Sequence, residues 1–160
     1  MPASSGNSEQ PMEAAQPDRL VVVLCGPPGA GKSTIARASG LQVFDRDEPR
    51  WSGEAEFRSA LRRLATDPDA QAVVIRTGAT SSARAATRRL VAATHCYLIM
   101  VDQQTARTRV QRRERADKVN VLTGLPKWYA DFDRDDNIEG FPGWPAVIAG
   151  PQIGSRSRSW

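Results

Sequence analysis

The chain is poor in the residues from which metal centres and redox sites are built. Its 160 residues include one histidine, His95, and two cysteines, Cys25 and Cys96. His95 precedes an apolar run and has no cysteine or acidic residue nearby at ligand spacing, so it reads as structural. The two cysteines do not make a zinc site. Both sit in apolar runs and read as reduced core thiols of a cytoplasmic protein. No stretch approaches the roughly 18 apolar residues of a membrane helix. Residues 1–18 are rich in Ser, Pro, Glu and Gln and lack an apolar centre, which argues against a signal peptide and for a flexible leader. Neither sign of charge dominates. The net charge of +4 permits an anionic partner without demanding one. With 40% hydrophobic and 25% charged residues the balance is globular, and the length suits one domain with a small core.

Against that background the apolar segments are short and regularly spaced. Leu20 to Cys25 is a continuous apolar run ending at Gly26, the pattern of a strand covered on both faces. A short helix is expected over residues 32–39, with Gly40 as its C-cap. Residues 41–44 form a second strand leading to Asp45-Arg46-Asp47-Glu48-Pro49-Arg50. Phe57, Ala60, Leu61 and Leu64 recur at helical spacing, which predicts an amphipathic helix over 53–65. A third strand at 72–75, a helix after Ser81-Ser82 and a fourth strand at 96–101 follow. Residues 104–118 read as a polar, Arg-rich helix or lid. Leu125, Trp128, Tyr129 and Phe132 then mark a last helix with Pro126 in its first turn, and that spacing favours core packing of the aromatics over base stacking. Strands alternating with helices, without tight hairpins, predict an α/β fold: a three-layer architecture on a small parallel sheet of about four strands. The expected domain spans 19–132. Residues 133–160 read as an irregular tail, with Trp144 and Val147-Ile148 able to dock on the core and the Ser-Arg repeat at its end read as solubilising.

The specific signal follows the first strand. Gly26-Pro27-Pro28-Gly29-Ala30-Gly31-Lys32-Ser33-Thr34 satisfies G-x-x-x-x-G-K-[ST] without a gap, with a strand before it and a helix after it. Glycines let the backbone wrap a phosphate and turn its N–H groups inward, and the helix start adds its positive dipole end. Lys32 would meet the outer phosphates, and Ser33 would offer its hydroxyl to Mg²⁺. The expected ligand is a nucleoside triphosphate, ATP or GTP, with Mg²⁺.

In an open α/β sheet, ligands sit at the carboxyl ends of the strands, so Asp47 and Arg50, just after the second strand, should line the same crevice. A carboxylate there can take the proton of an attacking hydroxyl, and an arginine can hold phosphate oxygens. Residues 44–50, Phe-Asp-Arg-Asp-Glu-Pro-Arg, together with the phosphate loop, resemble the R-D-x-x-R segment of the bacteriophage polynucleotide kinases. The resemblance covers about residues 20–132. It implies that Asp47 is the general base toward a 5′-hydroxyl, that Arg50 supports the site, and that one of Arg112, Arg113 and Arg115 clamps the transferring phosphate. That family carries an acidic residue at the end of its third strand. Here Val73-Val74-Ile75-Arg76-Thr77-Gly78 has none, and Thr77 or Asp102 is the expected substitute, unless Asp45 at the end of the second strand has taken over metal duty.

The expected function is therefore a P-loop kinase moving the γ-phosphate of ATP to a hydroxyl, with a nucleic-acid 5′ end or a nucleotide as acceptor. Two alternatives stay open: a small-metabolite kinase, and a non-catalytic or hydrolytic ATP-binding module of a DNA-processing assembly. A hexameric motor would need an acidic pair ending the third strand and an added helical domain, and neither is visible.

Overall fold

Residues 18–113 and 118–149 are described in a computed structural model of the chain. Strand β1 (Leu20–Cys25) lies at the middle of the sheet, where β-branched and apolar side chains are covered on both faces, and Val21 to Cys25 are fully buried. Strand β3 (Gln71–Arg76) pairs with it in parallel along its whole length, from Leu20↔Gln71 to Cys25↔Arg76. Strand β4 (His95–Leu98) pairs on its other side. The edges are β2 (Gln42–Asp45), beside β3, and β5 (Glu139–Gly140), beside β4. The order is β2-β3-β1-β4-β5, parallel throughout.

Parallel neighbours need crossovers, and helices supply them. In chain order these are α1 (Lys32–Arg37), α2 (Glu54–Ala65), α3 (Ser81–Val91), α4 (Gln103–Gln111), α5 (Lys118–Asp131) and α6 (Trp144–Ala149). The two-residue alternation of β1 divides the core. Val21, Val23 and Cys25 face Phe57, Leu61 and Leu64 of α2, Val91 of α3 and Trp128 of α5. Val22 and Leu24 face Ala36 of α1, with Ile99 and Val147 in the same cluster. The result is the expected α/β fold in three layers. Among the described residues no helix is long and apolar enough to cross a membrane.

Two features depart from the sequence reading. Residues 133–149, expected to be irregular, carry the fifth strand and α6. Ile138 is buried in one layer, while Phe141, Trp144 and Val147 belong to the other, and Trp144 Nε1 donates to the Ile35 carbonyl at 2.7 Å. The segment folds because the Val22–Leu24 face needs a second cover besides α1; a two-residue strand has no periodicity to betray it. Residues 1–17, 114–117 and 150–160, including the leader and the Ser-Arg end, lie outside the described residues. The second departure is α5, which starts at Lys118 and runs through Pro126, so the proline is interior rather than in the first turn. An interior proline typically costs about 3 kcal/mol. Tertiary packing offsets it here: Leu125 and Trp128 are buried, and the Trp128 ring stacks on Phe132 at 5.0 Å.

The C-terminal segment is fastened by Arg84 of α3, which is fully buried. Its Nε donates to Asp136 Oδ2 at 2.9 Å and Nη2 to Asp136 Oδ1 at 2.7 Å, a bidentate pair. Nη1 donates to the Gly78 and Ala79 carbonyls, and Nη2 also to the Asp133 carbonyl. The guanidinium in turn holds the Asp136 carboxyl below the usual carboxylate range. Replacing Arg84→Met should leave Asp136 and three carbonyls without this donor and cost about 3–5 kcal/mol. Urea unfolding measures this, and a loss under about 1 kcal/mol would show that the pair does not fasten the segment.

Candidate active site

The loop after β1 owes its shape to close backbone approaches. A Cβ on Gly26 would stand 2.2 Å from the Ile99 carbonyl oxygen, so only glycine fits there. Gly29, at φ 83°, is pressed against α4, where a Cβ would meet the Ala106 carbonyl oxygen at 2.6 Å. The Arg-rich stretch read as a lid is thus in part a packed helix, anchored by the fully buried Ala106 and Val110. Arg109 of that helix donates through Nη1 to the Gly29 carbonyl at 3.2 Å.

Lys32 is buried, and its Nζ donates to the Gly26 and Pro27 carbonyls at 2.7 and 2.9 Å. Burial is the largest influence on the ammonium and lowers its pKa from 10.5 to about 8; Arg113 pushes the same way, against Cys25, Asp45 and Asp47. The next side chain, Ser33, donates from Oγ to Asp45 Oδ2 at 2.8 Å. Asp45 is the last residue of β2 and is 7% exposed. Its other carboxylate oxygen accepts the Asp47 backbone N–H at 3.0 Å, and its carbonyl accepts Trp51 Nε1. Asp45 is therefore held rigidly against the loop serine.

These groups open onto one cavity of about 350 Å³. Residues Pro28 to Ser33 form one wall, and Asp45, Arg46 and Asp47 follow from the end of β2. Ile75, Arg76 and Thr77 come from the end of β3, Glu54 from the start of α2, and Arg113 and Val121 complete the lining. Lys32, Ser33, Asp47 and Arg113 of the expected set are brought together. Gly26 and Pro27 sit behind the cavity, where their carbonyls hold Lys32, and Thr34 is exposed in α1. Arg112 is exposed at the C-terminus of α4 and does not line the cavity. Arg115 lies outside the described residues.

Arg50 also faces elsewhere. Its guanidinium lies 4.3 Å from the Trp51 ring and 5.7 Å from that of Phe44, donates to Glu48 Oε1 at 3.0 Å, and donates to the Val43 carbonyl at 3.0 Å. The aromatic pair and a carbonyl capture it on the far side of the turn. Of the two candidates for the missing third-strand acid, Asp102 is spent on a helix cap, accepting Thr105 N–H at 2.8 Å. Thr77 does line the cavity. The carboxylate that meets Ser33 is Asp45, one strand further out. Its position at a strand end, right after a buried Phe44, was the available signal.

Sequence reasoning assigned no role to Arg46, Glu54 and Arg76. Arg76 ends β3, where an acid was expected. It lies over the Phe57 ring at 5.4 Å and 3.4 Å from Glu54 Oε2, while Glu54 Oε1 accepts from Arg46 Nε at 3.2 Å. Only the fold brings these three side chains together.

No protein-family model matches the sequence, and no curated protein does. Solved structures are nonetheless similar in fold. An unliganded sugar kinase from Janibacter sp. HTCC2649 superposes with a TM-score of 0.54 at 20% identity, covering 90% of this chain and 94% of that one. A gluconokinase from Sinorhizobium meliloti 1021 gives 0.50 at 15% identity, covering 84% and 86%. The likeness is one of fold: a parallel sheet covered on both faces by helices.

The depressed Lys32 pKa carries a sign. Its ammonium costs folding free energy wherever the folded protein is asked to keep it charged, which holds fully below about pH 8. Between about 8 and 10.5 the unfolded chain binds the proton and the folded one does not, so this contribution to stability rises with pH. Stability of the wild type relative to Lys32→Met should increase across that window by on the order of 3 kcal/mol. Urea midpoints of the two proteins at the ends of the window test it; a pH-independent difference would place the Lys32 ammonium in a well-solvated environment.

Proposed function

We propose that the protein is a kinase that transfers the γ-phosphate of ATP to a hydroxyl group of a small molecule. The observation that carries this reading is the cavity that Lys32 and Ser33 of the phosphate loop share with Asp45 and Asp47 of the β2 end. Its volume, about 350 Å³, lies in the range of small-molecule sites. The names of the fold neighbours, a sugar kinase and a gluconokinase, support a small-molecule acceptor. The resemblance to polynucleotide kinases pointed instead to a 5′-hydroxyl end. That option loses support from Arg50, which is held outside the cavity.

The residues divide the work. Backbone N–H groups of the phosphate loop and Lys32 bind the triphosphate, and Arg113 faces the same space. The Ser33 hydroxyl and the Asp45 carboxylate are hard oxygen donors 2.8 Å apart and fit Mg²⁺, held directly or through its water. When bound, Mg²⁺ supplies neutralisation of the phosphate oxygens. Asp47 takes the proton of the acceptor hydroxyl as its oxygen bonds to the γ-phosphorus and the bond to ADP breaks. Catalysis of this kind is largely positioning and charge neutralisation.

Purified protein with labelled ATP, Mg²⁺ and a panel of acceptors tests the reading. The panel needs sugars, polyols, hydroxy acids, nucleosides and a 5′-hydroxyl oligonucleotide. Label is expected on a small molecule. Label on the oligonucleotide would restore the polynucleotide acceptor, and release of phosphate alone would make the protein a hydrolase. Asp47→Asn should lower transfer by about 10²–10⁴-fold, the usual weight of a general base, with ATP affinity nearly intact. Asp45→Asn should instead raise the Mg²⁺ concentration needed for half-maximal rate. An unchanged Mg²⁺ requirement would remove Asp45 from the metal site.

A further inference from the structure

Beyond the phosphate loop the cavity wall carries two guanidinium groups, those of Arg46 and Arg76. Arg76 and Arg46 both reach Glu54, so two guanidinium groups share one carboxylate there. The remaining acids are otherwise engaged: Asp45 accepts from Ser33 and from the Asp47 N–H, and Asp47 stands at the hydroxyl in the proposed mechanism. Lys32 and Arg113 lie on the phosphate side.

Arg76 is also fixed in place. It is the last residue of β3, in register with Cys25, so its backbone stands one strand away from the start of the phosphate loop. Its stem is packed, the side chain being 26% exposed. The guanidinium lies over Phe57, and its hydrogen bond to Glu54 is a long one at 3.4 Å. A guanidinium has five N–H donors in a rigid fork. Among the described residues its hydrogen-bond partner is Glu54, through Nη2, and Arg76 lines the cavity.

We propose that Arg76 anchors an anionic oxyacid group of the acceptor, a carboxylate or a phosphate ester, so that the molecule phosphorylated is a hydroxy acid or a hydroxylated phosphate ester rather than a neutral sugar or polyol. This rests on the kinase reading of the cavity and specifies its substrate class. A bidentate arginine–oxyanion contact at this point orients the acceptor, its hydroxyl turned toward Asp47 and the phosphate loop. Arg46, on the other oxygen of Glu54, completes the positive side. A purely structural role for Arg76, tying α2 to β3, would give no preference for anions.

The test uses the full chain loaded with Mg²⁺ and a non-hydrolysable ATP analogue, and saturation-transfer NMR, which reads weak binding. Glycerol, glycerate and glycerol phosphate are the probes, alike in hydroxyls and different in the third group. At least one anionic probe should bind about tenfold or more tightly than glycerol, and which one binds distinguishes the carboxylate from the phosphate ester. Arg76→Gln should remove roughly 10- to 100-fold of that affinity, the weight of charge-assisted hydrogen bonds, and leave binding of the ATP analogue unchanged. Arg76→Lys, which keeps the charge and the fold contacts of the stem, should retain part of the preference. No preference for either anion over glycerol, or a preference that survives Arg76→Gln, overturns the proposal. Absence of transfer from ATP to any acceptor overturns the kinase reading instead, and leaves the anion preference measurable by itself.

Discussion

The parallel register of three strands is the constraint on which the site depends. Pairing of β1 with β3 sets Cys25 level with Arg76, and pairing of β2 with β3 sets Asp45 level with Ile75. The carboxyl ends of all three strands therefore stop along one edge of the sheet. A parallel sheet delivers its loops to that edge, where ligands of open α/β folds collect. A shift of one residue in β2 would turn Asp45 to the other face of the sheet and separate it from Ser33, because strand side chains alternate. The 2.8 Å contact between Asp45 and Ser33 is the chemical outcome of that register.

The register survives because both faces of the central strand are sealed. One face is closed mainly by α2, α3 and α5, and the other by α1 together with the C-terminal stretch through Phe141, Trp144 and Val147. Arg84 links these layers to the rest of the chain. It is a charge held in the interior, and such a group is tolerated only when paired and fully hydrogen-bonded. Its bonds to Asp136 and to the Gly78, Ala79 and Asp133 carbonyls meet that condition. The same turn carries Thr77 into the cavity, so the fastening of the C-terminal segment and the shape of the β3 wall are mechanically joined.

Charge is distributed unevenly around the cavity. At the phosphate loop, Lys32 is buried and bonded to backbone carbonyls, a position in which a negatively charged phosphate relieves the strain of an ammonium held away from water. Elsewhere on the wall the guanidinium groups of Arg46 and Arg76 converge on Glu54. The two aspartates of the β2 end complete the lining. A cavity lined by both cations and carboxylates suits a reaction in which phosphate charge is neutralised and a proton is removed.

Much of the fold was legible in the primary structure. Apolar runs of four to six residues, broken by Gly, Pro or Asp, marked the four longer strands, and the complete G-x-x-x-x-G-K-S motif located the phosphate loop. These signals are local: a buried strand must be apolar throughout, and a loop that wraps a phosphate must have glycine at its close approaches, such as Gly26 against Ile99. Other features had no local signal. The strand Glu139–Gly140 is too short for periodicity, and Pro126 lies inside α5 because packing of Leu125 and Trp128 outweighs its propensity. The spacing of Asp47 and Arg50 suggested a joint role, yet stacking on Trp51 turns Arg50 outward while Asp47 reaches the cavity. Asp45, Glu54 and Arg76 are dispersed in sequence, and no pattern of spacing ties them to Lys32. The sequence by itself determined the strand–loop–helix carrying the phosphate-loop motif, because that geometry is written in consecutive residues. Only the tertiary structure decided which charges face it, because strand register and helix placement, not distance along the chain, bring those side chains to one edge of the sheet.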